Sequence, residues 1–263
     1  MAQLRQYTPE EIREGEEFQA TGLPLWREAL VGLDWLSLRA SAVYRAIGIP
    51  RGDGSAVVLV PAFLLSDRYL GDLHEWLGRI GYQPHMSGIG RNIDCPNVLT
   101  DRLKVTIDHA HAQTKRKVHL IGHSLGGVLA RSAAVRWPEL IASLITMASP
   151  FRGIHAHPLI LEAQALVRGR IMARSADPTA LENCYTGHCS CDFVEALKRP
   201  FPEGVRQTAI YTKTDGVVDW RRCITEDPDS DIEVSGTHMG LVFNPQVYRH
   251  IAGRLAMAEV SRR

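Results

Sequence analysis

The sequence predicts an α/β fold: a mostly parallel central sheet of about six strands, helices on both faces, and one insertion late in the chain. Three observations predict it. Short β-branched apolar runs recur between turn residues, and strands covered on both faces read as continuous apolar runs. Longer segments with apolar residues at helical spacing stand between them. The alternation breaks once, over residues 150–204.

The elements follow in order. The segment up to about Arg51 carries Trp26, Leu30, Leu33 and Leu36 at helical spacing. This predicts a helix packed on the core, with a membrane-surface helix as the less common alternative. The turn Arg51-Gly52-Asp53-Gly54-Ser55 leads into the apolar run 56–60, a buried strand. Tyr69, Leu70, Leu73, Trp76, Leu77 and Ile80 mark one helix face, and Gly81 stops it. A short strand near residues 82–86 follows. Leu99, Leu103, Ile107 and Ala110 stripe the next helix, whose end runs into Lys115-Arg116-Lys117. Positive charge there complements the helix dipole and needs no nucleic acid to explain it. Residues 118–121 form a strand, 125–137 a helix rich in small residues that Pro138 ends, and 141–148 another strand. Beyond the insertion, 208–211 and 232–234 return to strand, and 245–257 close with a helix.

Of 263 residues, 45% are hydrophobic, enough for one large domain with a sizeable core. Its organisation reads as an N-terminal helical segment, 1–50, and a sheet domain, 51–263, with a cap insertion at roughly 151–204. The formal net charge of +1 gives no reason to expect nucleic acid or an acidic partner. Residues 1–20 are polar and rich in Glu and Arg, with no apolar leader core, so the expected location is cytoplasmic.

Gly122-His123-Ser124-Leu125-Gly126 fits G-x-S-x-G. The pattern alone recurs by chance; its weight comes from following a strand and opening a helix, which a nucleophile elbow requires. The alternative is an ordinary serine in a Gly-rich turn. A serine hydroxyl needs a base, and the base needs an orienting acid. On such a sheet these come in the order Ser, acid, His, on loops after later strands. His238 lies in the loop Ser235-Gly236-Thr237-His238-Met239-Gly240, and the alternative for it is a surface histidine. Asp215 and Asp219 share the loop after strand 208–211. Asp215 is favoured, because it follows the strand closely and Val217-Val218 can anchor the loop behind it; Asp219 reads as an ion-pair partner for Arg221 or Arg222. The oxyanion formed on attack needs backbone donors. The N–H of Leu125 is one candidate. Phe63, in the loop after strand 56–60, is the other, unless it is simply core.

These pieces resemble the lipase and esterase branch of the α/β-hydrolase superfamily, particularly small bacterial lipases that lack the first two strands of the full fold. The similarity spans 57–257, through 58–63, 122–127, 147–153, 215–218 and 236–241. The resemblance implies a Ser124–His238–Asp215 triad, an oxyanion hole at Phe63 and Leu125, and a small hydrophobic ester or lipid as substrate, with transient contact at a lipid surface as an open option. No cofactor is implied. One departure stands out: Pro61-Ala62 replaces the His-Gly or Pro-Gly usual before the oxyanion residue. A positive φ at Ala62 would cost on the order of 1 kcal/mol. A serine rather than an aspartate at the elbow argues against dehalogenase and epoxide-hydrolase relatives. The alternatives are acyl transfer or thioester hydrolysis on the same triad, and a non-catalytic lipid-binding module.

In the insertion, Leu159, Ile160, Ala163, Leu166, Val167 and Ile171 suggest an amphipathic helix, either a lid over Ser124 or a fixed packing helix. Cys184, His188, Cys189 and Cys191 are potential metal ligands, but C-x4-C-x-C is irregular for zinc and no metal is expected. Cys184, Cys189, Cys191 and Cys223 stand as free thiols or, in an oxidising compartment, as disulfide partners.

Overall fold

Each apolar run predicted as a strand joins a single sheet. The computed structural model describes residues 25–153, 155–174 and 189–260. Its strands are β1 (Ala56–Val60), β2 (Gln83–Met86), β3 (Val118–His123), β4 (Ile141–Met147), β5 (Arg206–Tyr211) and β6 (Asp231–Glu233). They lie in the order β2-β1-β3-β4-β5-β6, and every neighbouring pair is parallel. The order reverses between β1 and β3. In open parallel sheets the crevice beyond the C-terminal strand ends at such a reversal is where ligands bind.

The period-two geometry of β1 divides the core. Val57 and Leu59 face the side covered by α2 (Gly71–Ile80) and α7 (Pro245–Val260). Ala56, Val58 and Val60 face the side covered by α3 (Pro96–Thr114), α4 (Leu125–Arg136) and α6 (Asp192–Lys198). On the first side Trp76 is fully buried against Tyr248, and its indole N–H donates to the Val43 carbonyl at 2.8 Å. Gly81 ends α2 in the left-handed region, at φ 102°. The basic run after α3 has local partners: Arg116 pairs with Asp53, and Lys117 donates to the Pro138 carbonyl.

The N-terminal segment departs from expectation. A 3-10 turn (Leu25–Leu30) leads into α1 (Val31–Ala40). Trp26, Leu30, Leu33 and Leu36, expected to face the core, are 65%, 41%, 63% and 57% exposed. The segment is held instead by the buried Leu38 and by polar contacts. Trp35 and Arg39 both donate to the Asp72 carboxylate, at 2.8 and 2.6 Å, and Glu28 reaches across to the His238 loop. Spacing identifies an apolar face, but here polar side chains with strong partners decide which face docks.

The insertion has two halves of different character. In α6, Phe193 and Ala196 are buried, Phe193 in the cluster that α3 and α4 build, so this half belongs to the core. In α5 (Pro158–Arg174) only Val167 is buried; Ile160, Ala163 and Ile171 are half-buried on its face, while Leu159 and Leu166 point outward at 57% and 70% exposure. Cys184 and His188 lie outside the described residues. Cys189, Cys191 and Cys223 are free thiols, and no His, Cys, Asp and Glu group suited to a metal occurs among the described residues. No described helix is long and apolar enough to cross a membrane.

Candidate active site

The centre of the site is a backbone turn that most residues avoid. Ser124 sits between β3 and α4 at φ 53°, ψ −126°, a conformation that costs on the order of 1–3 kcal/mol for a residue with a Cβ. The surrounding glycines explain how the turn closes. A Cβ on Gly122 would run into Gly126 and Gly127, and one on Gly126 would overlap the Val60 and Pro61 carbonyls. The same closeness brings the loop after β1 against the start of α4. The first N–H groups of a helix have no intrahelical acceptor, and Leu125 is the first residue of α4, at this junction.

The loop after β1 is held from the other side by Asn92. Its side-chain amide donates to the Pro61 carbonyl at 2.8 Å; its own N–H donates to Leu65, and the Leu64 N–H donates to its carbonyl. Asn92 is fully buried. The left-handed residue of this loop is Leu64, at φ 66°, rather than Ala62. The absent glycine therefore imposes no strain at 62. Phe63 is half-buried against the α3–α4 side of the core.

Asp215 and His238 meet although 23 residues separate them. Asp215 Oδ2 lies 2.8 Å from His238 Nδ1, and both side chains are almost wholly buried. The second oxygen, Oδ1, accepts the Val217 and Val218 N–H groups, each at 2.8 Å. This fixes the carboxylate so that its free edge can only face the imidazole. Asp219 is directed elsewhere, capping Arg221 through its N–H at 3.0 Å.

His238 is packed against the elbow. The neighbouring His123 ring is centred 5.0 Å from the His238 ring, and its Nε2 lies 3.0 Å from the His238 carbonyl. Burial, helped by the charge of His238, lowers the His123 pKa to about 3. His123 is therefore neutral, and its Nε2–H donates to that carbonyl. The Tyr69 hydroxyl, pushed strongly upward by burial and so protonated, donates to the Met239 carbonyl at 2.9 Å. Glu28 accepts the N–H groups of His238 and Met239 at 3.0 and 2.8 Å. For His238 itself, burial opposes the charged form, but the charge and hydrogen bond of Asp215, with Glu28 behind them, outweigh it and raise the pKa. Among the described residues no hydrogen bond joins Ser124 Oγ to His238, a contact that in free enzymes often tightens only with substrate present.

Asn92 and Glu28 did not stand out in the sequence, and Tyr69 did so only as part of a helix face. Each acts on a backbone far away in the chain, and no local pattern marks such a contact.

The fold comparison agrees with this layout. A lipase from Bacillus licheniformis in its mature form superposes with a TM-score of 0.54 at 13% identity, over 79% of this chain and 94% of that one. A monoacylglycerol lipase from Paleococcus ferrophilus gives 0.51 at 18%, over 80% and 97%. An α/β-hydrolase enzyme from a sediment metagenome gives 0.50 at 17%, over 78% and 91%. The chain has the α/β-hydrolase fold.

Residues 89–197 of this fold match the family model described as palmitoyl protein thioesterase. A triacylglycerol lipase from Burkholderia plantarii is 30% identical over 134 residues, 47% of this chain and 37% of that protein. A triacylglycerol lipase from Pseudarthrobacter phenanthrenivorans is 32% identical over 107 residues, 37% of this chain and 33% of that one. The matches thus cover about a third of the length of these curated relatives.

Proposed function

We propose that this protein is a serine hydrolase that cleaves carboxylic esters through an acyl-enzyme on Ser124. The observation that carries the proposal is the strained serine turn at the C-terminal end of β3, packed against a buried His238 whose Nδ1 is held by Asp215. A carboxylate on Nδ1 keeps that nitrogen protonated and leaves Nε2 as the base.

In this reading Ser124 Oγ attacks the ester carbonyl carbon while its proton passes to His238 Nε2. The carbonyl oxygen becomes an oxyanion, held by the N–H groups of Leu125 and Phe63. Asp215 stabilises the imidazolium. As the tetrahedral intermediate collapses, the C–O bond to the alcohol breaks and His238 returns the proton to the leaving oxygen. Water then attacks the acyl-enzyme, giving its proton to His238, and Ser124 recovers its hydrogen as the acid departs.

Support for a hydrophobic ester comes from the lipase relatives and from α5, whose segment we read as the cap. Its base is stitched to the Asp215 loop: the His157 N–H donates to the Val217 carbonyl, and Ile160 packs beside Val217 and Val218. The palmitoyl thioesterase match over 89–197 includes the elbow and favours a second reading, thioester hydrolysis by the same residues. Both are tested by turnover of p-nitrophenyl butyrate, p-nitrophenyl palmitate and a palmitoyl thioester. Preference for the oxygen esters supports the proposal. A thioester preferred over both moves the second reading to first place, and a folded protein inert to all three sinks both.

A further inference from the structure

We propose that Glu28 is a positioning residue of the active site, a carboxylate delivered by the N-terminal segment that clamps the backbone of the His238 loop. The inference rests on the reading of His238 as the base. Four backbone groups around that residue are held by side chains from three separate parts of the chain. Glu28 Oε1 accepts the His238 N–H and Oε2 the Met239 N–H. His123 donates to the His238 carbonyl and Tyr69 to the Met239 carbonyl. Only Glu28 supplies two of these bonds, and only Glu28 comes from outside the sheet domain, 210 residues from its partner.

A backbone N–H can be satisfied by a neutral oxygen, although a carboxylate makes the stronger bond, so a purely structural clamp does not require a charge. Glu28 brings one close to the imidazole. Among the described residues, the other groups facing His238 are Asp215 on Nδ1, the neutral ring of His123, the protonated hydroxyl of Tyr69, and Asp34 of α1 behind Gly240. Cys223, buried near Asp215, is held protonated by burial. Glu28 on the backbone N–H and Asp215 on Nδ1 are thus two carboxylates beside one buried histidine, and the negative charge of Glu28 favours the imidazolium that forms when Ser124 gives up its proton. Trp26, Leu30, Leu33 and Leu36 of the N-terminal segment face solvent, and this polar contact adds to Leu38 and the Asp72 contacts in docking it.

The test uses Glu28→Gln and Glu28→Ala in the full chain. The glutamine keeps the shape and one acceptor but removes the charge. The His238 imidazole is titrated by NMR through its Cε1–H resonance, and kcat and KM are measured against pH on p-nitrophenyl butyrate. The expected result is a His238 pKa lowered by about half a unit or more in both variants, with kcat reduced about tenfold or more and KM changed less than about twofold. The acid limb of kcat/KM moves to lower pH with it. If Glu28→Ala does not fold, the glutamine variant alone decides. A folded glutamine variant with the wild-type titration overturns the proposal, even if its melting temperature falls, because a structural clamp alone would give that pattern. Ser124→Ala separates the underlying reading: if wild type turns over no faster than this variant, the hydrolase reading fails, while the NMR titration still decides whether Glu28 acts on His238.

Discussion

Replacing Asp215 by Asn changes one atom type at a position where the structure leaves it no room to adapt. Asp215 Oδ1 accepts two backbone N–H groups, from Val217 and Val218, while Oδ2 faces His238 Nδ1. An asparagine must place its oxygen toward the two backbone donors. Turning its NH2 toward them would leave two buried N–H groups unpaired, at about 1–3 kcal/mol each. The NH2 therefore faces Nδ1, which must become the acceptor, and the imidazole proton moves to Nε2, where the base is needed. Fold and packing survive; the tautomer is wrong. The expected loss in kcat is about 10⁴-fold, the scale found for the same exchange in a serine protease, or about 5.5 kcal/mol in the barrier. The loss should fall on kcat rather than KM, with far-UV circular dichroism unchanged and the melting temperature nearly so. Steady-state hydrolysis of p-nitrophenyl butyrate by Asp215→Asn and Asp219→Asn checks it. If Asp215→Asn keeps more than about a tenth of kcat while Asp219→Asn is inactive, the acid has been assigned to the wrong carboxylate and the argument from Oδ1 fails.

Other consequences follow from the same geometry. The base must be neutral to accept the serine proton, and His238 is raised above its ordinary value of 6.5, so kcat/KM should fall as pH drops through a midpoint above 6.5. His123 titrates near 3 and adds no limb in that range; an acid limb centred well below 6.5 would refute the charge balance around His238. The raised pKa also adds stability that is fully present below the unfolded-state value and is lost as pH rises through the folded one, so denaturant midpoints should decline modestly across that window. Asn92→Ala leaves the buried Pro61 carbonyl without its donor; it should cost about 1–3 kcal/mol in urea unfolding and lower kcat more than it raises KM, because the loop carrying Phe63 loosens. Gly126→Ala drives a methyl group into the Val60 and Pro61 carbonyls, which as backbone cannot swing away. A stability loss of about 1–3 kcal/mol or more is expected, with activity lost at temperatures where the chain remains folded.

What could be read from the sequence was whatever is local or ordered along the chain. The elbow was legible because its serine, its glycines, the preceding strand and the following helix are consecutive, so one tight turn accounts for all of them. That Asp215 and His238 would meet was legible because strand order places their loops at one sheet edge, and the Val217 and Val218 N–H groups tie the Asp215 loop back to its own carboxylate. The N-terminal face was not legible. Trp26, Leu30, Leu33 and Leu36 have the spacing of a core face, yet the segment docks through Leu38, Glu28 and the Asp72 contacts, none of which leaves a periodic signal. Asn92 was missed for a related reason: a buried asparagine bonding a carbonyl 31 residues away looks, in sequence, like any loop asparagine. The concern over Ala62 misplaced the left-handed residue by two positions, since turn type depends on how the loop is tied down and Asn92 does the tying. Part of the insertion proved to be core, because Phe193 of α6 fills space against α3 and α4 that only the assembled helices create.

The most direct test of the central claim is covalent. Wild type, Ser124→Ala and Asp215→Asn are treated with a fluorophosphonate, which phosphonylates an activated serine hydroxyl, and the intact masses and labelled peptides are determined. The account predicts one adduct per wild-type chain on the peptide containing Ser124, none on Ser124→Ala, and greatly slowed labelling of Asp215→Asn. Folded wild type that remains unlabelled, or an adduct that persists in Ser124→Ala at another residue, would contradict the claim that Ser124 is the activated nucleophile.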